Sequence, residues 1–441
     1  MPKVLFIQPT QYNNNSGGLC KQNRIYLPGL VFPLLAAMTP ANWKVQIIME
    51  VIENIDYNTD ADIIGIGTMG HSMIRAMQIA RKFKKRNKTV FMGGYMASMI
   101  PEYALEVVDS VVLGDAEISY PKLLEDFERD GKLKRIYDNP VTNLEGLPIP
   151  KYDLLTEKKI GFMLPVQAGR GCTYQCSFCS IACLYKGRYL TRPVAEVVRD
   201  IKAIKELGYK SFYLIDDNIA SRPEYLQSLC LEIKPLKMIW GSQCSITLAK
   251  HSKLLKLVSD SGCRILSIGL ESISQDGLDK LNKNWLKVND HEKLISKLKR
   301  YGILVSAEMM IGLDSDTSQS IRDTYTFVLK NKIPIPRFYV ITPVPGTDLY
   351  FEYKKDGRII LEEYSYYTAS QCVYNPLKMS SQEVDQMYRW LNEKVFSWLS
   401  ILKRTIFNKG IIKHPLLYLY AFIVNCKYRK HVRMGEAPVV I

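Results

Sequence analysis

Two successive series of short apolar runs, each run followed by a helix-like pattern, constrain this chain more than any other feature of its sequence. The first series comprises KVLFIQ (3–8), VQIIME (45–50), ADIIGIGT (61–68), TVFMGG (89–94) and DSVVLG (109–114), with helical patterns at 27–38, 72–86 and 102–107 between them. Parallel strands need long crossover connections, so strands alternating with helices imply a parallel sheet. Residues 1–135 are therefore expected to form a doubly wound α/β domain. Residues 136–160, rich in proline and polar side chains, read as an extended linker. A second series runs from 161 to 350: MLPVQAG, FYLIDD (212–217), MIWGSQCS, ILSIGLES (265–272), LVSAEMMIGL (304–313) and FYVITPVPG (338–346). Six βα units are too few for a closed eight-stranded barrel. They predict a partial (β/α)6 barrel, followed by a mainly helical region over 351–441 with a basic amphipathic tail. A chain of 441 residues has room for two or three such domains.

Ligands of open parallel sheets sit beyond the carboxyl ends of the strands. In the first series those ends carry Gly93, Gly94, Gly114 and Glu117. Glycine there lets backbone approach a ligand closely, although tight turns explain the same residues.

The chemistry-bearing feature is Arg170-Gly-Cys172-Thr-Tyr-Gln-Cys176-Ser-Phe-Cys179, in a loop after the first strand of the second series. Three thiolates can hold three irons of a [4Fe–4S] cluster and leave the fourth iron open to a ligand. A zinc site would pair a CxxC with a second CxxC or a histidine pair, and none follows at suitable spacing. Cys183 extends the spacing and reads either as a fourth ligand or, more simply, as a packing thiol. The other six cysteines are scattered; Cys20 and Cys372 fall in irregular sequence. Ten cysteines diluted over this length do not make a disulfide scaffold. The opening MPKVLFIQPT has too short an apolar stretch for a signal-peptide core, so a reduced cytoplasm is expected.

A CxxxCxxC loop with an aromatic before its last cysteine, at the head of a partial α/β barrel, resembles the radical S-adenosylmethionine (SAM) superfamily. The resemblance implies that Cys172, Cys176 and Cys179 bind a [4Fe–4S] cluster whose open iron takes the amino and carboxylate groups of SAM. It further implies an external electron donor such as a flavodoxin or ferredoxin, and cleavage of SAM to a 5′-deoxyadenosyl radical. Carried over residue by residue, Phe178 packs near the adenine and Asp216 and Asp217 approach the SAM amino group. Gln243 and Ser245 point to the same mouth, Glu271 reaches the ribose hydroxyls, and Gly312 leaves room for adenine. The Asp216–Asp217 pair also reads as a helix-capping sequence.

Residues 1–135 resemble the vitamin-B12-binding domain that precedes many radical SAM domains, through FIQP, VFPLLAAM, DIIGIGTM, MGGYMASMIPEY and DSVVLGDAEISYPKLLEDF. The barrel resembles the branch that contains hopanoid methylases, through LIDDNIA, IWGSQCSITLA, SGCRILSIGLESIS, MMIGLDSDT and ITPVPGTDLY. Cobalamin is then implied as a third cofactor, lined by Gly93, Gly94, Gly114 and Glu117. One departure stands out: none of the five histidines has Asp two places before it, so the Asp-x-His-x-x-Gly cobalt-ligand motif is missing. The activity implied is cobalamin-dependent methyl transfer to an unactivated carbon of a lipid or small natural product. A radical SAM cyclase, coupling or rearrangement enzyme is the enzymatic alternative. A non-enzymatic cluster-containing binding protein is the other.

The net charge is +15, and residues 391–441 hold nine Lys/Arg against two Glu, close to half of the excess. A basic bias confined to the tail does not favour nucleic acid as a partner. Segments 395–406 and 415–426 are apolar and aromatic with basic flanks. A run of 12 residues is short of the roughly 20 needed to span a bilayer. Residues 395–433 are read as an interfacial segment on an anionic membrane surface, or as ordinary packing on the barrel. The first reading places the protein peripherally at the inner face of the membrane.

Overall fold

The computed structural model describes residues 1–13 and 17–435; residues 436–441, the end of the expected tail, lie outside the described residues. The chain divides into two compact units: residues 1–165 with 363–368, and residues 166–362 with 369 onward.

The first unit is built on six strands: β1 (Lys3–Gln8), β2 (Lys44–Met49), β3 (Ile63–Gly67), β4 (Thr89–Gly93), β5 (Ser110–Val112) and β6 (Ile136–Tyr137). Their order is β2-β1-β3-β4-β5-β6 and every pairing is parallel. The order reverses between β1 and β3, as the doubly wound expectation requires. Strands β1, β3 and β4 are buried on both faces, which is why they read as unbroken apolar runs. Helix Met73–Lys84 buries Met73, Ala76, Met77, Ala80 and Phe83 along one stripe. At the carboxyl end of β1, Glu50 Oε2 accepts the Thr10 N–H at 3.0 Å and the carboxylate pairs with the buried Arg75.

Residues 136–160, expected as an extended linker, pack instead. β6 extends the sheet beside β5, and Leu144, Tyr152 and Leu155 are buried. The Tyr152 hydroxyl donates to Pro165 O at 3.1 Å. Prolines in this stretch break regular structure, while Leu144, Leu147, Tyr152 and Leu155 anchor it among exposed residues.

The second unit carries β7 (Leu164–Val166), a hairpin of β8 (Gly169–Gly171) and β9 (Tyr189–Thr191), then β10 (Ser211–Leu214), β11 (Ile239–Cys244), β12 (Cys263–Glu271), β13 (Leu304–Ile311) and β14 (Ile335–Val340). The main sheet runs β7-β10-β11-β12-β13-β14, parallel from β10 to β14. Strands follow one another in chain order with helices between, and β7 and β14 are free edges. This is the open (β/α)6 barrel the sequence implies. On β12, β13 and β14 buried residues alternate with partly exposed ones. The helix-facing side is therefore sealed, and the opposite side carries polar groups such as Ser267, Glu308 and Arg337.

Helices Ser381–Val395, Trp398–Arg404 and Pro415–Arg433 form the helical C-terminal region. Arg404 is fully buried at its centre and donates to Ile333 O, Pro334 O, Val395 O, Asn425 Oδ1 and Ser400 Oγ at 2.9–3.2 Å. Among the described residues no helix is long and apolar enough to cross a membrane.

Candidate functional site

The cysteine motif is held at both ends by the β8–β9 hairpin, in which Arg170 pairs with Leu190 and Gly171 with Tyr189. Gly171 has φ +87°, and a Cβ there would lie 2.2 Å from Arg188 O. No other residue fits the start of this loop. The two acids that end the FYLIDD run fasten the hairpin. Asp217 Oδ2 accepts the Gly171 N–H at 2.7 Å. Asp216 accepts the Ala168 N–H at 2.8 Å and the Tyr189 hydroxyl at 2.7 Å.

Asp216 is 0% exposed, and burial pushes its carboxyl up to about 7. Both its oxygens are engaged by the chain, so the expected contact with an amino group of SAM does not fit it. Asp216 braces the loop instead. Asp217 is only half-buried and stays beside the motif.

The loop is pinned from outside as well. The Tyr174 ring stacks on Trp285 with centroids 3.6 Å apart and planes at 9°. Asn282 Nδ2 donates to Gln175 O at 2.6 Å, and the Ser177 N–H donates to Leu281 O at 3.1 Å. Phe178 is half-buried within it.

Cys172, Cys176 and Cys179 are half-buried free thiols, each set against a donor or a positive charge. Asn218 Nδ2 points to Cys172 Sγ at 3.5 Å. The Lys283 ammonium lies beside Cys176, and Cys179 Sγ accepts backbone N–H groups of Ile181 and Ala182. Burial pushes the Cys176 thiol up to about 12 and Cys179 to about 11. A coordinated metal reverses that tendency and holds the thiolate. Among the described residues no three His, Cys, Asp or Glu side chains converge closely enough to chelate one metal ion. Thiolates on three different irons of a cluster need not converge on a point. The donor set around these sulfurs suits thiolates, and so fits the cluster. Cys183 differs: its S–H donates to Gly346 O at 3.0 Å.

Glu271 ends β12 at φ +59°, after a bulge at Gly269. A non-glycine residue in that region is uncommon and marks sites where the surroundings impose the conformation. Its Oε1 accepts Lys283 Nζ at 2.7 Å, and Lys283 also donates to Gly269 O at 2.9 Å. Both side chains are nearly buried, and both lie beside Cys176. Gln243 is exposed, in register with Ser267 on the next strand. Ser245, expected at the mouth, is turned into the chain. Its Oγ accepts the Thr247 N–H at 3.3 Å and its N–H donates to Asn218 Oδ1 at 2.9 Å.

Gly312 lies just past β13 rather than on it. It has φ +85°, and its Cβ position is 3.0 Å from both Tyr374 and Val384. Its small size answers a left-handed turn and this packing. Deeper on the same side, Glu308 Oε1 accepts Ser267 Oγ at 2.5 Å and faces Arg337 Nη1 at 3.4 Å. Sequence reading missed Asn218, Lys283, Trp285 and Glu308. Asn218 directly follows the Asp pair and was the one within reach.

In the first unit, Gly94 has φ +100° and its Cβ position lies 2.4 Å from Thr68 O. The chain itself demands that glycine, without a ligand. At Gly93 the nearest atom to a Cβ is 3.7 Å away, and at Gly114 nothing lies within 4 Å. Glu117 follows β5 and is half-buried. His71 is half-buried, and burial pushes its imidazole down to about 4.

Comparison with known proteins agrees with this geometry. Residues 166–328 match the radical SAM superfamily. The chain is 28% identical over 439 residues to bacteriochlorophyllide d C-8(2)-methyltransferase of Chlorobaculum tepidum, covering 92% of this chain and 96% of that protein. It is 29% identical over 354 residues to the C-12(1)-methyltransferase of the same organism, covering 78% and 76%. The fold is similar to that of OxsB, a cobalamin-dependent SAM radical enzyme solved with aqua-cobalamin, with a TM-score of 0.71, 13% identity and coverage of 98% of this chain and 72% of that one. The chain is a radical SAM superfamily enzyme with a B12-binding-like α/β unit ahead of its radical SAM barrel.

Proposed function

We propose that this enzyme is a cobalamin-dependent radical SAM C-methyltransferase acting on an unactivated carbon of a small-molecule or lipid substrate. The observation that carries the reading is the set of three loop thiols, each facing a donor or a positive charge, at the carboxyl ends of an open barrel. Similarity over most of both chains to methyltransferases of chlorophyll-type pigments supports methyl transfer. When bound, the cluster supplies the electron that cleaves SAM, and cobalamin carries the methyl group. Cys172, Cys176 and Cys179 hold the cluster. Asn218 donates towards the Cys172 thiolate, and the Lys283 ammonium offsets the charge of Cys176. Asp216 and Asp217 fix the loop, and Gln243, Glu271 and Asp217 contact SAM. Phe178 belongs to the same loop and lines the adenine side. Gly93, Gly114 and Glu117 line the cobalamin side of the first unit. An external one-electron donor such as a flavodoxin or ferredoxin is required, and the basic C-terminal helices add contact with a membrane surface.

The test is anaerobic reconstitution of the full chain with iron, sulfide and cobalamin, followed by incubation with SAM and reductant. Formation of 5′-deoxyadenosine together with S-adenosylhomocysteine, the latter only with cobalamin, supports the reading. Deoxyadenosine formation unaffected by cobalamin, with no S-adenosylhomocysteine, overturns methyl transfer but not SAM cleavage.

A further inference from the structure

Helix Pro415–Arg433 has two dissimilar faces. Tyr418, Ala421, Asn425 and Tyr428 are buried at helical spacing, and Asn425 Nδ2 donates to Pro334 O at 2.9 Å. The other face is apolar where a surface helix is normally charged. Leu416 is 79% exposed, Leu419 47% and Ile423 59%. Ile412, in the short turn before it, is 82% exposed. The stripe widens sideways, because Trp398, 50% exposed, has its ring 6.4 Å from Phe422 of this helix, and Leu399 beside it is 63% exposed. Isolated exposed apolar residues need no explanation, but a contiguous patch does.

The charge around the patch is of one sign. From residue 394 to residue 435 there is no Asp or Glu. Lys403, Lys409, Lys413, Lys430 and Arg433 are exposed along the same segment. Pairing with a second copy would bring these cations together, which like-charge repulsion opposes. An apolar stripe amid cations, on a helix unable to span a bilayer, is complementary to lipid that is apolar within and anionic at its surface.

We infer that the face formed by Trp398, Leu399, Ile412, Leu416, Leu419 and Ile423 docks this enzyme on an anionic lipid bilayer, with helix Pro415–Arg433 lying in the interface plane. The inference does not depend on methyl transfer, and its test reads binding alone. The full chain is floated with vesicles of phosphatidylcholine, or of phosphatidylcholine with phosphatidylglycerol, over a range of salt. Binding is expected to the anionic vesicles and to weaken as salt rises. Lys413→Gln and Lys430→Gln are each expected to weaken it about fivefold. Leu416→Ser and Ile423→Ser are each expected to weaken it about tenfold, with circular dichroism and elution volume unchanged. Absence of vesicle binding overturns the inference, as does equal, salt-insensitive binding to neutral vesicles. Folded variants that bind like the parent overturn it too. A dimer that Ile423→Ser dissociates, without vesicle binding, assigns the face to a second copy instead.

Discussion

Cys183 lies one helical turn beyond Cys179, yet its thiol is spent on a carbonyl, Gly346 O, while Cys172 and Cys179 are met by donors and Cys176 by the positive charge of Lys283. A thiol that donates to a carbonyl is a packing thiol; one that accepts N–H groups suits a thiolate. Replacing Cys172, Cys176 or Cys179 by Ala is therefore expected to abolish bound iron and 5′-deoxyadenosine release. Cys183→Ala should retain both and cost about 1 kcal/mol of stability. Iron and sulfide content, with product chromatography, check this. Asp216 makes a pH prediction. Its carboxyl is raised to about 7 by burial, whereas an exposed one in the unfolded chain titrates near 4. Between those values the folded state binds the proton more tightly. The stability it contributes is thus fully present below about 4 and is lost as pH rises through about 7. Asp216→Asn, which stays neutral, should flatten this loss between about pH 4 and 7 in urea unfolding of the cluster-free chain. An unchanged slope would show that another group titrates there.

At the scale of elements, the strands form from local pattern, but their fastenings are long-range. Arg404 ties helix Trp398–Arg404 to the segment before β14 and to helix Pro415–Arg433 through five neutral acceptors. With no carboxylate among those acceptors, burial pushes its guanidinium down to about 9. Arg404→Met removes the guanidinium donors from buried carbonyls at 333, 334 and 395, leaving Pro334 O only Asn425 Nδ2. It is expected to cost about 3–5 kcal/mol and to expose the last helix to protease before the barrel unfolds. Limited proteolysis and denaturant titration read the two effects. The β8–β9 hairpin is another such fastening: three-residue strands carry little signal alone, and they pair because Asp216, Tyr189 and Ala168 hold them.

For the whole molecule, the division into a B12-binding-like unit and a radical SAM barrel sets the expected labour of each. If the first unit takes cobalamin at its strand ends, Gly93→Leu puts its Cβ in ordinary contact with Val112, 3.7 Å from Val112 O, without a clash. It should leave the melting temperature nearly unchanged while weakening cobalamin binding at least about tenfold, the effect of some 1.4 kcal/mol. His71→Ala should leave the absorption spectrum of bound cobalamin unaltered, because no Asp-x-His-x-x-Gly motif presents a cobalt ligand. A spectral change in that variant would make His71 the ligand.

Alternating apolar runs and helices by themselves determined two parallel α/β sheets, since parallel strands admit few other connections. The spacing of Cys172, Cys176 and Cys179 determined the cluster chemistry, because ligand spacing along one loop is a local property. What each flanking residue does was decided only by tertiary contacts. Asp216 looked like a ligand and is a brace; Ser245 faces Asn218 and Thr247 instead of the mouth. Gly94 and Gly312 are demanded by close contacts with Thr68, Tyr374 and Val384 from other segments. Lys283 and Trp285 sit over a hundred residues from the cysteines they shelter, in a stretch without periodicity. Their partners come from other segments of the chain, and no local pattern encodes a contact made across the barrel.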